Sequence, residues 1–341
     1  MTDVNSGADL ASTYRRVAAH LVGRERELTL ALAAVAAGRD LILEGPPGTS
    51  KSTLLRAITA EWGIPLVFVE GNADLTPAKL IGHHNPARVL REDYSPDNFV
   101  DGPLLQAMRE GGFLYIEEFN RAPEDTLNTL LTAMAERQIA VPTAGTVVAA
   151  PTFRVVASMN PYDNVGTTRL STSVHDRICR LAIGYQDAAA ERGIVMLRAA
   201  LPKLDAELYE RLVSDAVAVT RATREHEDIR QGSSVRGAID LTLVAGQLLG
   251  LRGISGATGE ADLAGEPGLA RDEPGQAGLA GEPGLAREAA ESYPEVVYDA
   301  MVVALSGRIF LDETVDLTPE AVLRQIWEDQ FILAPAAAAP G

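Results

Sequence analysis

The chain has 341 residues, 46% of them hydrophobic and 23% charged, which is ordinary globular composition with length enough for two domains. A formal net charge of −17 disfavours a sequence-blind grip on nucleic acid, which needs clustered Lys and Arg to displace counterions. The lone cysteine, Cys179, excludes an intrachain disulfide; with no leader-like start and no apolar run long enough for a bilayer, a cytoplasmic protein without a membrane span is expected.

Residues 1–11 are polar and unpatterned, and a helical spacing from Tyr14 to Leu21 leads into Val22-Gly23-Arg24-Glu25. Leu28, Leu30, Leu32 and Val35 continue as a helix to about Gly38. Strands are expected at Asp40–Leu43, Leu66–Val69, Phe113–Ile116, Arg154–Ala157 and Leu181–Ile183. Short apolar runs separated by longer helical patterns are the signature of a parallel sheet covered on both faces, so residues 1–186 read as one α/β nucleotide-binding domain.

The first strand runs into Gly45-Pro46-Pro47-Gly48-Thr49-Ser50-Lys51-Ser52, and a helical pattern follows from there. A turn of this kind points backbone N–H groups at phosphate oxygens, Lys51 can reach the β/γ-phosphates, and the Ser52 hydroxyl can ligate Mg²⁺. These residues, with Thr53 after them, are the expected binding site for a nucleoside triphosphate. The pattern asks for Gly where Ser50 stands, and a non-Gly residue at positive φ costs roughly 1 kcal/mol.

The strand Phe113–Ile116 ends in Glu117-Glu118, a Walker B arrangement. The first carboxylate would hold Mg²⁺ through water and the second would polarise the water that attacks the γ-phosphorus. Asp is usual at the first position, so Glu117 sets its carboxylate one methylene further out. The next strand ends at Asn160-Pro161, where an amide can orient the attacking water; taken alone, Asn-Pro is a turn signal. A guanidinium at such a site stabilises charge on the γ-phosphate, and Arg177 and Arg236 are the candidates, though composition alone reads each as a surface arginine.

Between the second strand and Glu117 lies a long segment, 71–112, with Asp74-Leu75-Thr76-Pro77, His83-His84 and Tyr94–Asp101. Adjacent imidazoles do not easily share an ion and no Cys or third His lies nearby, so a metal site at His83-His84 is disfavoured. Ile139–Val148, with Pro142 and Gly145 at its centre, reads as a hairpin. After Asp187 the pattern is helical only: Ile194–Leu201, Leu208–Val219, Ser233–Leu249, Tyr293–Leu305, and a last helix opened by Thr318 as N-cap and Pro319 at N1. Residues 187–333 are thus expected to form a small α-helical lid and 334–341 a frayed tail. The lid is interrupted at about 250–287 by a Gly/Pro/Ala-rich segment in which Ala264-Gly265-Glu266-Pro267-Gly268-Leu269-Ala270 recurs as Ala280-Gly281-Glu282-Pro283-Gly284-Leu285-Ala286. A docking repeat is one reading; a disordered insertion grown by local duplication is favoured.

Several segments in order resemble a MoxR-type AAA+ ATPase, of the clade that includes magnesium-chelatase ATPase subunits. They are Val22-Gly23-Arg24-Glu25, the loop Gly45–Ser52, Gly102-Pro103-Leu104, Glu118-Phe119-Asn120-Arg121-Ala122, Asn160-Pro161 with Gly166-Thr167, and Asp176-Arg177. The resemblance implies a P-loop domain with a parallel five-stranded sheet followed by a small helical lid, with ATP and Mg²⁺ as cofactors. Val22 and Gly23 would line the adenine pocket, Ser52 and Glu117 would serve the metal, and Glu118 would be the base. Asn160 would be sensor 1, Arg236 the sensor-2 arginine, and Arg177 the finger offered to the next subunit, with Arg169 and Arg180 as substitutes. Segment 71–112 would be a helix-2 insert facing the ring axis. The implied function is a homo-oligomeric ring, usually a hexamer, that hydrolyses ATP to remodel, mature or activate a client protein, with a von Willebrand factor A domain protein as partner. A non-hydrolysing nucleotide switch, a chelatase motor subunit and a nucleic-acid motor are the alternatives.

Overall fold

The computed structural model describes residues 7–92, 96–141, 145–161, 170–254 and 292–333. Pro142, Tyr94, Gly166-Thr167, Arg169, the repeat-bearing part of the insertion and the tail lie outside the described residues. The chain divides into two compact units, Met1–Ala190 and Glu191–Gly341.

The first unit is built on five parallel strands: β1 (Leu41–Glu44), β2 (Leu66–Glu70), β3 (Phe113–Glu117), β4 (Arg154–Met159) and β5 (Cys179–Ala182). Their order in the sheet is β2-β3-β4-β1-β5. Alternation along each strand divides the core. Ile42, Leu114, Ile116, Val155 and Ala157 enter one apolar cluster, whereas Leu41, Leu43, Phe113, Tyr115 and Val156 enter the other. The second cluster is covered by α1 (Gly7–Ala18), α2 (Glu25–Ala36) and α3 (Lys51–Trp62), and the first by α4 (Pro103–Glu110) and α5 (Glu124–Glu136). Helix α2 shows why: Leu28, Ala31, Leu32 and Val35, at helical spacing, are its buried residues.

Two boundaries differ from the sequence reading. Helix α1 starts at Gly7, ahead of the expected Tyr14. Strand β5 is Cys179–Ala182 in place of Leu181–Ile183, because it is an edge strand whose Cys179, Arg180 and Ala182 are exposed, so its pairing with β1 leaves little apolar signature. Segment 71–112 folds as helix Pro77–Ile81, a strand Gly82–His84 paired antiparallel with Phe99–Asp101, a helix Pro86–Glu92 between them, and then α4. The hairpin pairs Gln138–Val141 with Gly145–Val148.

The second unit is mostly helical, with α6 (Ala206–Ala222), α7 (Val235–Leu251), α8 (Tyr293–Leu305) and α9 (Pro319–Glu328). Each has a side-chain cap of the kind that satisfies orphan N–H groups: Asp205 for α6, Ser234 for α7, a Ser292/Glu295 capping box for α8, and Thr318 with Pro319 at N1 for α9. A helical-only lid needs one correction. Ile229–Gln231 pairs antiparallel with Phe310–Leu311, and strands of three and two residues are too short to impose a periodic pattern. Helix α7 also runs to Leu251, into the start of the expected insertion. Among the described residues no helix is long and apolar enough to cross a membrane.

Candidate functional site

Parallel strands deliver their carboxyl ends to one edge of a sheet, and ligands of open α/β folds bind there. At that edge β1 runs into the Gly45–Ser52 loop, β3 presents Glu117 and Glu118, and β4 ends at Asn160. Gly45 is confined by its neighbour strand: a Cβ there would stand 2.0 Å from the Ile183 carbonyl oxygen. The backbone is left-handed at Gly48 (φ 73°) and at Ser50 (φ 65°), within a run of turn residues that ends in α3, the conformation from which anion-binding nests are built. Ser50 therefore takes the conformation that suits Gly, and its side chain makes no cap hydrogen bond.

The Lys51 ammonium donates to the carbonyls of Gly45 and Pro46, both at 2.8 Å, and the Thr49 hydroxyl donates to Pro46 O at 2.9 Å. Thr53 is exposed on the first turn of α3. Ser52 Oγ donates to Glu117 Oε1 at 2.8 Å. A hydroxyl and a carboxylate oxygen side by side form a hard, all-oxygen pair of the kind Mg²⁺ takes, so these residues fit that ion beside a bound phosphate. The longer Glu117 side chain still reaches Ser52. Among the described residues no cluster of three or more His, Cys, Asp or Glu could hold a metal ion; His84 instead packs edge-on against Phe99 at 5.1 Å.

Glu118 sits in the left-handed region (φ 53°) at the head of the turn Phe119–Arg121. Its Oε2 accepts from Arg121 Nε at 3.3 Å. Asn160 is buried at the end of β4, where its carbonyl accepts from Asn120 Nδ2 at 3.3 Å. On the other side of the loop, Gln186 donates to the Val22 carbonyl, and Gly23 (φ 63°) lies so close to Ala190 that a Cβ would meet that side chain at 2.5 Å.

Arg177 is exposed, donates to Ser173 O at 3.2 Å and lines a cleft with Glu124, Asn128, Glu136 and Ser171, a cleft to which the loop Gly45–Ser52 contributes nothing. Arg180 is exposed and paired with Glu44, which raises its pKa. Arg236 is exposed near the start of α7 in the second unit, and its carbonyl accepts from Arg308.

Sequence reasoning assigned no role to three neighbours of the site. Arg24, only 3% exposed, donates through Nη2 to both Thr49 O (3.0 Å) and Gly184 O (2.9 Å), clamping the loop to the chain beyond β5. Arg121 holds Glu118. Tyr115, on the same face of β3 as Glu117, places its hydroxyl against Ser52 and Ser158. The period-2 rule carried the last signal, since Tyr115 and Glu117 are two residues apart.

A parallel sheet with a phosphate-loop turn at its carboxyl edge and paired acids beside it defines a nucleotide-binding α/β protein. Residues 40–178 match the model of the AAA domain, dynein-related subfamily. Over that stretch the chain is similar to the AAA domain family. A Staphylococcus epidermidis protein is 28% identical over 61% of this chain and 78% of its own length. Gas vesicle ATPase GvpN of Ancylobacter aquaticus is 27% identical over 61% of each chain. YojN of Bacillus subtilis is 28% identical over 62% of this chain and 68% of its own. A solved structure from Cytophaga hutchinsonii aligns with 93% of this chain and 92% of its own at 19% identity and a TM-score of 0.46.

Proposed function

We propose that this chain is a MoxR-type, ring-forming ATPase that binds ATP with Mg²⁺, hydrolyses it to ADP and phosphate, and uses the cycle to remodel, mature or activate a client protein. The observation that carries the reading is the 2.8 Å contact between Ser52 Oγ and Glu117 Oε1 at the sheet edge, with Glu118 on the next residue. Residues 45–53 cradle the phosphates, and Lys51 exchanges the loop carbonyls it holds for phosphate oxygens. Ser52 and Glu117 hold Mg²⁺, which neutralises phosphate charge. Glu118 orients and deprotonates the attacking water, and Asn160 positions that water.

Val22 and Gly23 take the adenine, and Arg236 contributes from the lid as sensor 2. Arg177 acts on the ATP of the next subunit; its exposure and its place in a cleft that the phosphate loop does not line suit a residue used in trans. That sharing makes a ring, six-membered by family resemblance, part of the active site of a cytoplasmic ATPase, and a protein with a von Willebrand factor A domain is the partner the resemblance favours. Glu118→Gln tests the reading: it should bind ATP with near-normal affinity and lose at least a hundredfold in turnover, while Lys51→Ala should lose binding. Near-normal turnover in Glu118→Gln would remove the base from the account.

A further inference from the structure

Ser52 is held by more than Glu117. The Tyr115 hydroxyl is 3.0 Å from Ser52 Oγ, 2.9 Å from Ser158 Oγ and 3.4 Å from Glu117 Oε1. Tyr115 and Ser158 are buried, at 0% and 1% exposure, so these contacts form away from bulk water. Register explains the meeting. Ile116 pairs with Ala157, which brings the end of β3 beside Ser158, and alternation turns Tyr115 and Glu117 toward α3, whose second residue is Ser52.

Hydrogen counting then fixes a direction. Ser52 has one hydroxyl proton, and it goes to Glu117 Oε1. The 3.0 Å contact with Tyr115 can therefore be a hydrogen bond only if Tyr115 donates to Ser52. With the Tyr115 proton directed to Ser52 at 3.0 Å, or shared with the more distant Glu117 Oε1 at 3.4 Å, Ser158 is left as the donor to Tyr115. The result is a one-way chain, Ser158 to Tyr115 to Ser52 to Glu117, whose members polarise one another. It commits the Ser52 proton and one Ser52 lone pair, leaving the second lone pair for another partner.

We propose that Tyr115 is a positioning residue for the metal site: its hydroxyl, backed by Ser158, sets the rotamer of Ser52 so that the remaining lone pair serves Mg²⁺ in the ATP complex. This rests on the ATP and Mg²⁺ reading above. Nothing in the strand's apolar character requires the hydroxyl, because Phe would fill the same volume. Without the Tyr115 hydroxyl, Ser52 would be oriented by Glu117 and the ion alone, and one hydrogen bond of ordinary strength corresponds to a three- to tenfold loss in metal affinity.

The test uses the full chain and a fluorescent ATP analogue, titrated once in EDTA and once with increasing Mg²⁺ at fixed nucleotide. Tyr115→Phe should bind the analogue in EDTA as the wild type does. Its Mg²⁺ midpoint should rise three- to tenfold, and saturating Mg²⁺ should restore turnover to within about twofold. Ser158→Ala, which keeps the Tyr115-to-Ser52 link, should shift the midpoint less. An unchanged midpoint in Tyr115→Phe, or a loss of equal size in EDTA, overturns the assignment, and a larger shift in Ser158→Ala than in Tyr115→Phe overturns the direction of the chain. A wild-type chain that binds no nucleotide in either condition overturns the proposed function, and this inference falls with it.

Discussion

Arg24 offers the most demanding test of how the phosphate loop is held. Its guanidinium is 3% exposed and spans Thr49 O, Gly184 O and Glu27. Arg24→Met keeps much of the apolar stem and removes the donors. The charge-assisted bond to the buried Thr49 carbonyl contributes about 1.5–3 kcal/mol and the part-buried bond to the carbonyl of exposed Gly184 adds less, whereas the Glu27 carboxylate can take up water. Against this, the variant no longer has to bury a charge. A net loss of about 2–3 kcal/mol follows, which for a unit of this size lowers Tm by about 4–12 °C. Because Thr49 precedes the left-handed Ser50, the loop should loosen as well, weakening ATP about tenfold. Thermal unfolding and nucleotide titration check both. If Tm and ATP affinity stay within 1 °C and twofold of the wild type, the clamp is not what holds the loop. Arg24→Lys should rescue little, since one ammonium lacks the guanidinium's planar spread of donors between two carbonyls.

Further expectations concern Ser50 and the base of the sheet. Ser50→Gly should stabilise the first unit by up to about 0.5 kcal/mol, the left-handed penalty less the entropy glycine brings to the unfolded chain; a loss of stability by thermal unfolding would show that the Ser50 side chain makes contacts that matter. Arg137 donates to the buried Asp40 at 2.9 Å and to Phe153 O at 3.2 Å, so Arg137→Ala should destabilise by about 2–3 kcal/mol, less than for a fully buried pair because Arg137 is 34% exposed. Burial raises the Asp40 pKa above 3.8 despite the Val155 N–H and Arg137, and without Arg137 it rises further. The folded state then holds a proton that the unfolded chain has released. The Arg137→Ala loss should therefore be small near pH 4 and grow as pH rises, as denaturant unfolding across pH can show; a loss that shrank with rising pH would refute this.

What the sequence disclosed followed the strength of local patterns. Leu41–Leu43, Phe113–Ile116 and Arg154–Ala157 are central strands, buried on both faces, so their apolar runs stand out against the helices around them. The edge strand β5 carries Cys179 and Arg180 outward and is legible only in its last residues. The ribbon formed by Ile229–Gln231 and Phe310–Leu311 joins positions some eighty residues apart, which no local window sees. At the site, Ser50 declared itself by departing from the loop pattern, and the structure gives that departure a conformation. Tyr115 did not, because a tyrosine in an apolar strand reads as core until the register with β4 brings Ser158 beside it. Arg24 and Arg121 lay inside quoted motifs, yet their partners, a carbonyl of the loop and the Glu118 carboxylate, are matters of three-dimensional placement.

The most direct test of the central claim is steady-state ATPase activity per subunit as a function of protein concentration, run for the wild type and for a mixture of Arg177→Ala and Lys51→Ala subunits. A site completed by Arg177 from a neighbour predicts a specific rate that climbs with concentration and saturates, and a mixture that is more active than either variant alone. A measurable rate independent of concentration, with a mixture no better than its parts, would contradict a shared site, and a rate near zero at every concentration would contradict hydrolysis by the chain itself.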